Sequence, residues 1–300
     1  MRTSDVAVAI DTPALLGEGP VWLAEQQALW YCDIPARRLH RFDPASGTLT
    51  HLEFHTDIGS FAPAHDGGFV VALRDGLWHV DPATDVRRQL AVAPYDTTMQ
   101  RFNDGKCDAA GRFWVGSMDE PRRPGLASLY CFEGGVLAQR QAGITISNGL
   151  AWSPDGETMY WVDTTAHTVW AFDFAVATGA MTNRRVFAQF APRPATGLAG
   201  YGGRPDGAAV DAEGCYWVAM YEGGRVLRFS PAGELLEEVR VPARCPTMPC
   251  FGGVDMKTVY VTSASLNRPP EESASHPHAG CTFSFRVNVP GLPVHVADAI

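Results

Sequence analysis

Four short segments place an acidic or amide side chain directly before a glycine, and each of them precedes an aromatic, strand-like run. The segments are "LGEGPVW" with Glu18, "FNDGKCD" with Asn103 and Asp104, "ISNGLAW" with Asn148, and "RPDGAAV" with Asp206. The aromatic residue that marks the next run follows after 12, 10, 12 and 10 residues, respectively. This regular spacing indicates that the four segments take equivalent places in repeated structural units.

Side chains of these types can hold a divalent cation. Carboxylates that face one centre repel each other unless a positive charge lies among them, and buried charges are normally paired or bound to metal. Oxygen donors without a matching His or Cys suit ions such as Ca²⁺, Mg²⁺ or Mn²⁺. Three protein ligands would leave coordination positions for water and substrate, which is typical of a catalytic site.

The alternative for these segments is structural, because Asn-Gly and Asp-Gly pairs are common in hairpin turns. A single pair favours a turn, whereas four pairs in one register favour a site. Neighbouring residues of a strand point to opposite faces. We therefore expect Asn103 to face the shared centre and Asp104 to support it by hydrogen bonding.

The elements that would position these side chains repeat along the chain. Helical patterns are scarce among 30 Gly and 22 Pro residues, whereas short aromatic and β-branched runs between turn residues are frequent. One aromatic residue from each repeat gives intervals of 39, 44, 47, 56 and 44 residues: Trp30, Phe69, Phe113, Tyr160, Tyr216 and Tyr260. Several strands in each unit of about 40–50 residues are typical of a β-propeller.

We therefore predict an all-β fold, a six-bladed β-propeller that occupies residues 1–300 as a single domain with a metal site in its central channel. Equivalent positions of the blades are related by rotation about the channel axis, so the polar residues should lie at one height and point toward each other. A β-sandwich with similar hairpins is the alternative, and six regular copies disfavour it.

Composition and charge argue against several classes of partner. The net charge is −9 and no basic patch offsets it, which disfavours nucleic acid and anionic membranes. No segment approaches the roughly 20 apolar residues of a membrane span, and "MRTSDVAVAI" lacks the apolar run of a signal peptide. Seven cysteines without a Cys-x-x-Cys pair indicate reduced, mostly buried thiols. We expect a cytoplasmic protein with no obligatory protein partner.

The same segments resemble a known family. "LGEGPVW", "RFNDGKCDAAGRFWVGSM", "SNGLAWSPDG", "PDGAAVDAEGCYWVAMYEGGRVLRFSPAGE" and "CFGG" are similar, in this order, to segments of the regucalcin/gluconolactonase family, the senescence-marker-protein-like lactonases. The resemblance covers nearly the whole chain. It implies a six-bladed propeller that binds one divalent metal ion (Ca²⁺, Zn²⁺, Mg²⁺, Mn²⁺ or Fe²⁺) and opens sugar-acid lactones.

The resemblance also implies roles for individual residues. The metal ligands that it implies are Glu18, Asn148 and Asp206. Asp206 would also act as the catalytic base, and Arg101 and Asn103 would contact substrate hydroxyl groups. Some relatives carry a substrate-contacting Glu just after a "GTM" segment. The run here is "GSMDEPRR", and we expect Glu120 to stand in for that Glu, although Pro121 shifts the local backbone.

A longer segment than usual leads to the last ligand. "APRPATGLAGYGGRPDG" (Ala191–Gly207) ends directly at Asp206, and we expect it to form a lid with Tyr201 near the mouth of the channel. The alternative is a surface loop without a role in the site.

The function that follows from these residues is hydrolysis of a sugar lactone, a small-molecule substrate. Hydrolysis builds negative charge on the lactone carbonyl oxygen, which a bound metal ion would stabilise. Two alternatives stay open: a propeller hydrolase of another ester, such as an organophosphate or an aryl lactone, and a non-catalytic, divalent-metal-binding regulatory protein. Arg101 with Asn103 favours a polyhydroxylated substrate.

Overall fold

Backbone pairing organises the chain into six four-stranded antiparallel sheets in a computed structural model that describes residues 6–298. Neighbouring sheets contact each other through their first strands, which form a ring around a central channel. The six-bladed β-propeller predicted from the aromatic intervals is therefore confirmed.

The strands of the first three blades alternate with short turns. Before the first blade lies β1 (Ala7–Ile10). The strands that follow in chain order are β2 (Gly17–Leu23), β3 (Ala28–Asp33), β4 (Arg38–Asp43), β5 (Thr48–Glu53), β6 (Ile58–Pro63), β7 (Phe69–Leu73), β8 (Gly76–Val80), β9 (Arg87–Val92), β10 (Gln100–Cys107), β11 (Phe113–Asp119), β12 (Ala127–Glu133) and β13 (Val136–Ile144).

The second half of the chain continues this plan. Its elements are β14 (Ser147–Trp152), β15 (Thr158–Asp163), β16 (Thr168–Ala175), β17 (Ala180–Gln189), β18 (Arg204–Val210), β19 (Tyr216–Tyr221), β20 (Arg225–Phe229), β21 (Leu235–Arg240), β22 (Pro246–Gly252), β23 (Thr258–Ser263), α1 (Pro270–Ser275) and β24 (Thr282–Arg286). Among the described residues no helix is long and apolar enough to cross a membrane.

The two ends of the chain close the ring together. Blades one to five are β2–β5, β6–β9, β10–β13, β14–β17 and β18–β21, each in chain order. The sixth blade has the order β22-β23-β24-β1, and Ala7 of β1 pairs with Ser284 of β24. β1, the first strand of the described residues, is therefore the outer strand of the last blade, and its pairing with β24 closes the ring.

Apolar clusters fill the interfaces between neighbouring blades. The blade-one aromatic Trp30 packs edge-on against Phe69 of blade two at a ring distance of 4.9 Å. Tyr160 of blade four lies 4.8 Å from Tyr216 of blade five. The aromatic residues that mark the sequence repeats thus form the core because each blade buries its faces against the next one.

A buried aspartate reinforces blades three and five beside the second strand. Asp108 accepts hydrogen bonds from Arg112 Nε (2.7 Å) and Trp114 Nε1 (2.8 Å). Asp211, in the matching segment "VDAEGCYW", accepts one from Trp217 Nε1 (2.9 Å). These carboxylates accept hydrogen bonds from buried donors that would otherwise have no partner.

We predict that Asp108→Ala strongly destabilises the fold. Arg112 is 2% exposed, and a buried guanidinium that loses its carboxylate lowers the free energy of unfolding by about 3–5 kcal/mol. Urea unfolding followed by circular dichroism measures the change. Asp43→Ala is the matched control because Asp43 caps an exposed turn through Ala45 N (2.9 Å). Equal losses for the two variants would contradict the buried ion pair as the cause.

Candidate active site

The first strand of each blade, here called its inner strand, is irregular near its beginning. The end of the channel at which the inner strands begin is here called the upper end. The pairing register with the second strand shifts between Glu18 and Val21 in β2 and between Asn148 and Ala151 in β14. The inner strands of the other four blades also shift in register near their beginnings. Such bulges bend the strand and change the direction of its side chains, so they concentrate polar side chains in the channel.

The bulge in β10 changes the interpretation of Asn103 and Asp104. Its register shift lies between Phe102 and Gly105, so the simple alternation expected for neighbouring residues does not hold there. Both side chains are buried, each with 5% exposure. Asp104 accepts a hydrogen bond from the backbone of Leu150 (3.0 Å), as expected for a supporting residue.

The three residues predicted to bind metal lie on the inner strands of blades one, four and five. Glu18, Asn148 and Asp206 are 7%, 3% and 5% exposed. The charge of Asp206 raises the pKa of Glu18, and the side chain of Asn148 lies beside Asp206. The fold therefore brings together residues that are almost 190 positions apart in sequence, although their role as ligands stays a prediction.

A row of hydrogen bonds fixes the amide side chains of the site. Arg101 Nη1 donates to Asn103 Oδ1 (2.7 Å), and Asn103 Nδ2 donates to Asn148 Oδ1 (2.7 Å). Asn148 Nδ2 donates to Thr164 Oγ1 (2.8 Å), which donates to the backbone oxygen of Pro205 (2.8 Å). Each group in this row donates a hydrogen bond to the next one. The amide nitrogen of Asn148 therefore faces Thr164, and its oxygen points away from Thr164. One lone pair of this oxygen is left for another partner.

The carboxylates of the site repel each other in a buried environment. Burial raises the pKa of Glu18 well above its usual range, and the charges of Asp206 and Asp104 raise it further. Burial raises the pKa of Asp206 to about 8, against the opposing charge of Arg204. Within residues 6–298 none of these three carboxylates has a Lys, Arg or His nitrogen within 4.0 Å. The site is therefore short of positive charge.

These residues fit a divalent cation. The Oδ1 atom of Asp104 is buried without a hydrogen-bond partner, and Glu18 accepts a hydrogen bond from the backbone of Gly19 at 3.3 Å. In the described part of the chain no three His, Cys, Asp or Glu side chains are grouped to hold a metal ion. An ion here would therefore need the amide oxygen of Asn148 beside the two carboxylates, a donor set that suits hard cations.

The predicted substrate residues lie at the upper end beside this site. Arg101 is buried and donates to the backbone oxygen of Phe102 (2.9 Å) as well as to Asn103. Glu120 lies at the rim, where Arg74 donates to both of its oxygens at 2.9 Å. Its Oε1 is 4.0 Å from Arg101 Nε. Whether Glu120 contacts substrate stays a prediction, and its present partner is Arg74.

The segment before β18 also lies at the upper end. Tyr201 is 9% exposed, and its hydroxyl group is 2.7 Å from His167 Nε2. Arg193, from the same segment, donates to Glu222 (2.9 Å) in the turn that follows β19. The segment is thus anchored at two points beside the channel, and its function as a lid stays a prediction.

Sequence reasoning missed a group of arginines around Glu222, here called the mouth cluster. Arg204 donates to Glu222 (3.0 Å), and Arg268 lies 3.6 Å from it. Arg268 also pairs with Glu272 at 2.8 Å. Together with Arg193, three guanidinium groups face two carboxylates, which leaves an excess of positive charge. The segments "YEGGR" and "ASLNR" carry some of these residues, but only the fold brings the group together.

The fold and this site define a class of protein: a six-bladed propeller whose channel holds converging carboxylate and amide side chains. Residues 16–265 match the family model described as "SMP-30/Gluconolactonase/LRE-like region". The chain belongs to this family, as the resemblance of its segments implied.

Individual relatives agree with this assignment. The chain is 44% identical over 280 residues to a 6-deoxy-6-sulfogluconolactonase of Pseudomonas putida, covering 93% of this chain and 94% of the relative. It is 36% identical over 300 residues to regucalcin of Danio rerio, covering 98% of each chain. A crystal structure of the calcium-binding protein regucalcin from Agrobacterium tumefaciens superposes with a TM-score of 0.91 at 31% identity, over 99% of each chain.

We predict that acid stabilises the metal-free protein. A carboxyl group whose pKa is raised by folding binds more protons in the folded state, so its contribution to stability falls as pH rises from about 4 toward about 8. Thermal unfolding should therefore give a midpoint several degrees lower at pH 8 than at pH 5 after chelation. A divalent ion that binds the site should raise the midpoint more at pH 8.

Asp206→Asn supplies the control because the variant lacks the titrating group. Its pH dependence over the same range should be flatter than that of the unsubstituted protein. An identical pH dependence for both proteins would contradict the assignment of the shift to this carboxylate.

Proposed function

We propose that the protein is a metal-dependent sugar lactonase that hydrolyses an aldonolactone to the open aldonic acid. The observation that carries this proposal is the convergence of Glu18, Asn148 and Asp206 in the channel, next to the donors of Arg101. The name of the Pseudomonas putida relative supports a lactone as the substrate.

Glu18, Asn148 and Asp206 would hold one divalent ion. When bound, the ion supplies the positive charge that polarises the lactone carbonyl group. Ca²⁺, Zn²⁺, Mg²⁺, Mn²⁺ and Fe²⁺ are the candidates, because carboxylate and amide oxygens accept several ions. The row of hydrogen bonds from Arg101 to Thr164 holds the Asn148 oxygen in place before the ion arrives.

The polar side chains of the site have different roles in the reaction. Asp206 takes a proton from the attacking water, and its burial keeps bulk solvent from competing for that proton. Arg101 presents its remaining N–H groups to substrate oxygens. Both amide hydrogens of Asn103 are engaged, with Ser147 O (2.8 Å) and Asn148 Oδ1 (2.7 Å). Asn103 therefore contacts substrate only through its oxygen and mainly positions Asn148.

We predict that Asp206→Asn lowers lactone turnover by about 10²–10⁴-fold, because the amide cannot take a proton. Acidification of a glucono-lactone solution in saturating divalent ion measures the rate. Asp255→Asn is the matched control, since Asp255 pairs with Arg286 on the exposed surface. An unchanged rate for Asp206→Asn in saturating ion would rule out its role as the base.

The same assay separates the competing functions. The protein is stripped with a chelator and reloaded with one ion at a time, and aldonolactones are compared with aryl esters and an organophosphate. Restored hydrolysis of aldonolactones alone supports the proposal. Preference for the aryl or phosphorus esters would favour the other hydrolase class, and binding of ion without hydrolysis would favour a regulatory protein.

The mouth cluster favours a lactone that carries an anionic group. Its excess positive charge lies near the site, because Arg204 opposes the raised pKa of Asp206. Guanidinium groups bind tetrahedral anions through paired donors. The relative named as a 6-deoxy-6-sulfogluconolactonase acts, by its name, on a lactone with a sulfonate at carbon six. We therefore extend the proposal to lactones with a sulfonate or phosphate at the end opposite the carbonyl group.

This extension predicts that Arg193→Gln weakens recognition of the anionic group. The kcat/KM for the 6-sulfonated lactone, divided by the kcat/KM for glucono-lactone, should fall about tenfold because one charge-assisted contact is lost. Steady-state kinetics on the two lactones give the ratio. Arg184→Gln is the matched control because Arg184 stacks on Trp170, away from the channel. Equal losses on both lactones would contradict anion recognition by the mouth cluster.

A further inference from the structure

A cavity lies in the channel below the site. It has a volume of about 300 Å³, and its walls are largely apolar side chains of the inner strands, among them Phe61, Met248 and Phe251. Gly19 and Gly105, which line its top, directly follow Glu18 and Asp104 in the chain. This lower cavity has the size and apolar character of small-molecule sites.

The end of the chain covers the lower cavity. Gly291 bridges to Asp211 of blade five, and Ala297 bridges to Ala64 of blade two. The segment between these two bridges crosses the lower end of the channel, and Leu292–His295 line the cavity. The cavity is thus bounded by the inner strands on its sides and by this crossing segment below.

One ammonium group faces this apolar space without a carboxylate partner. Lys106 lines the cavity, and its Nζ donates to the backbone oxygen of Ala208 at 2.8 Å. Within residues 6–298 no carboxylate oxygen lies within 4.0 Å of Nζ. A lysine has three N–H donors, so two are left for a ligand. Burial lowers the pKa of Lys106, and the nearby charge of Asp104 opposes this shift.

Two indole rings form part of the apolar wall. Trp22 and Trp152 line the cavity and are 4% and 6% exposed. Their Nε1 atoms are buried inside the protein and are not accessible from the cavity. A ligand in the cavity would therefore contact the rings of these residues and not their N–H groups.

We propose that the lower cavity is a second binding site, one that takes a small carboxylate with an apolar body. The ammonium group of Lys106 has two donors left beside its bond to Ala208, which calls for a ligand with acceptor oxygens and a negative charge. The apolar walls favour an apolar group for the rest of the ligand. An engineered apolar cavity of about 150 Å³ holds a benzene molecule, so twice that volume accepts a phenyl ring with a short acid chain.

The chemistry of this site differs from that of the site above it. An aldonate, the product of the proposed lactonase, carries a hydroxyl group on every carbon beyond its carboxylate and would leave these groups unpaired against the apolar walls. The second site therefore does not depend on the proposed function, and its test needs neither a lactone nor a metal ion.

The probe for this test is 3-phenylpropanoate, titrated into chelator-treated protein that is labelled with ¹⁵N at the tryptophan indoles. Trp22→Phe and Trp152→Phe assign the two relevant signals. We expect saturable shifts of both signals, because the phenyl ring of the ligand would lie against the two indole rings of the wall. The alcohol 3-phenylpropan-1-ol should bind about tenfold or more weakly because it lacks the charge, and gluconate should leave both signals unchanged.

Lys106→Met removes the ammonium group with little change in shape and should weaken binding of the acid about tenfold or more. The matched control is Lys257→Met, because Lys106 and Lys257 are the lysines of the chain. Absence of shifts at Trp22 and Trp152, equal affinity for acid and alcohol, or undiminished affinity in Lys106→Met would each overturn the proposal. If Lys106→Met does not fold, the comparison of acid with alcohol on the unsubstituted protein decides.

Discussion

Repulsion among buried carboxylates is the constraint around which this propeller is built. Glu18 and Asp206 are held in the channel without a cationic side chain at salt-bridge distance in the described chain, although ionised groups in such surroundings strongly favour protonation or a counter-ion. Only a rigid frame can hold them there. The closed ring of blades supplies that frame, because each inner strand is packed between two neighbours and cannot move aside independently.

The backbone accommodates the crowded centre through local irregularity. Gly149 has a φ of +61° at the bulge that follows Asn148, a conformation that costs other residues more than glycine. This geometry turns the Asn148 amide into the channel while Thr164 holds its nitrogen. The Asn-Gly pair that resembles a turn in the sequence therefore changes the direction of a strand that continues, and it does not end that strand.

The sequence predicts the blades and the convergence of the site because both repeat: one pattern of strand, turn and polar residue recurs at similar intervals, and the family resemblance names the same positions. Structural features that depend on a single contact are not predictable in this way. The outer strand β1, "AVAI", is too short to show where it pairs, and the environment of Asp104 follows from a bulge that overrides alternation. The mouth cluster joins residues of separate blades and the connections between them, so no local pattern marks Arg193 or Arg268.

The pairing of β1 with β24 has a consequence for biosynthesis. A nascent polypeptide leaving the ribosome carries β1 and Glu18 long before the sixth blade, so the ring cannot close until that blade has been synthesised. A truncated product that lacks the final hairpin would therefore leave the ring open and expose its inner surfaces to quality-control proteases.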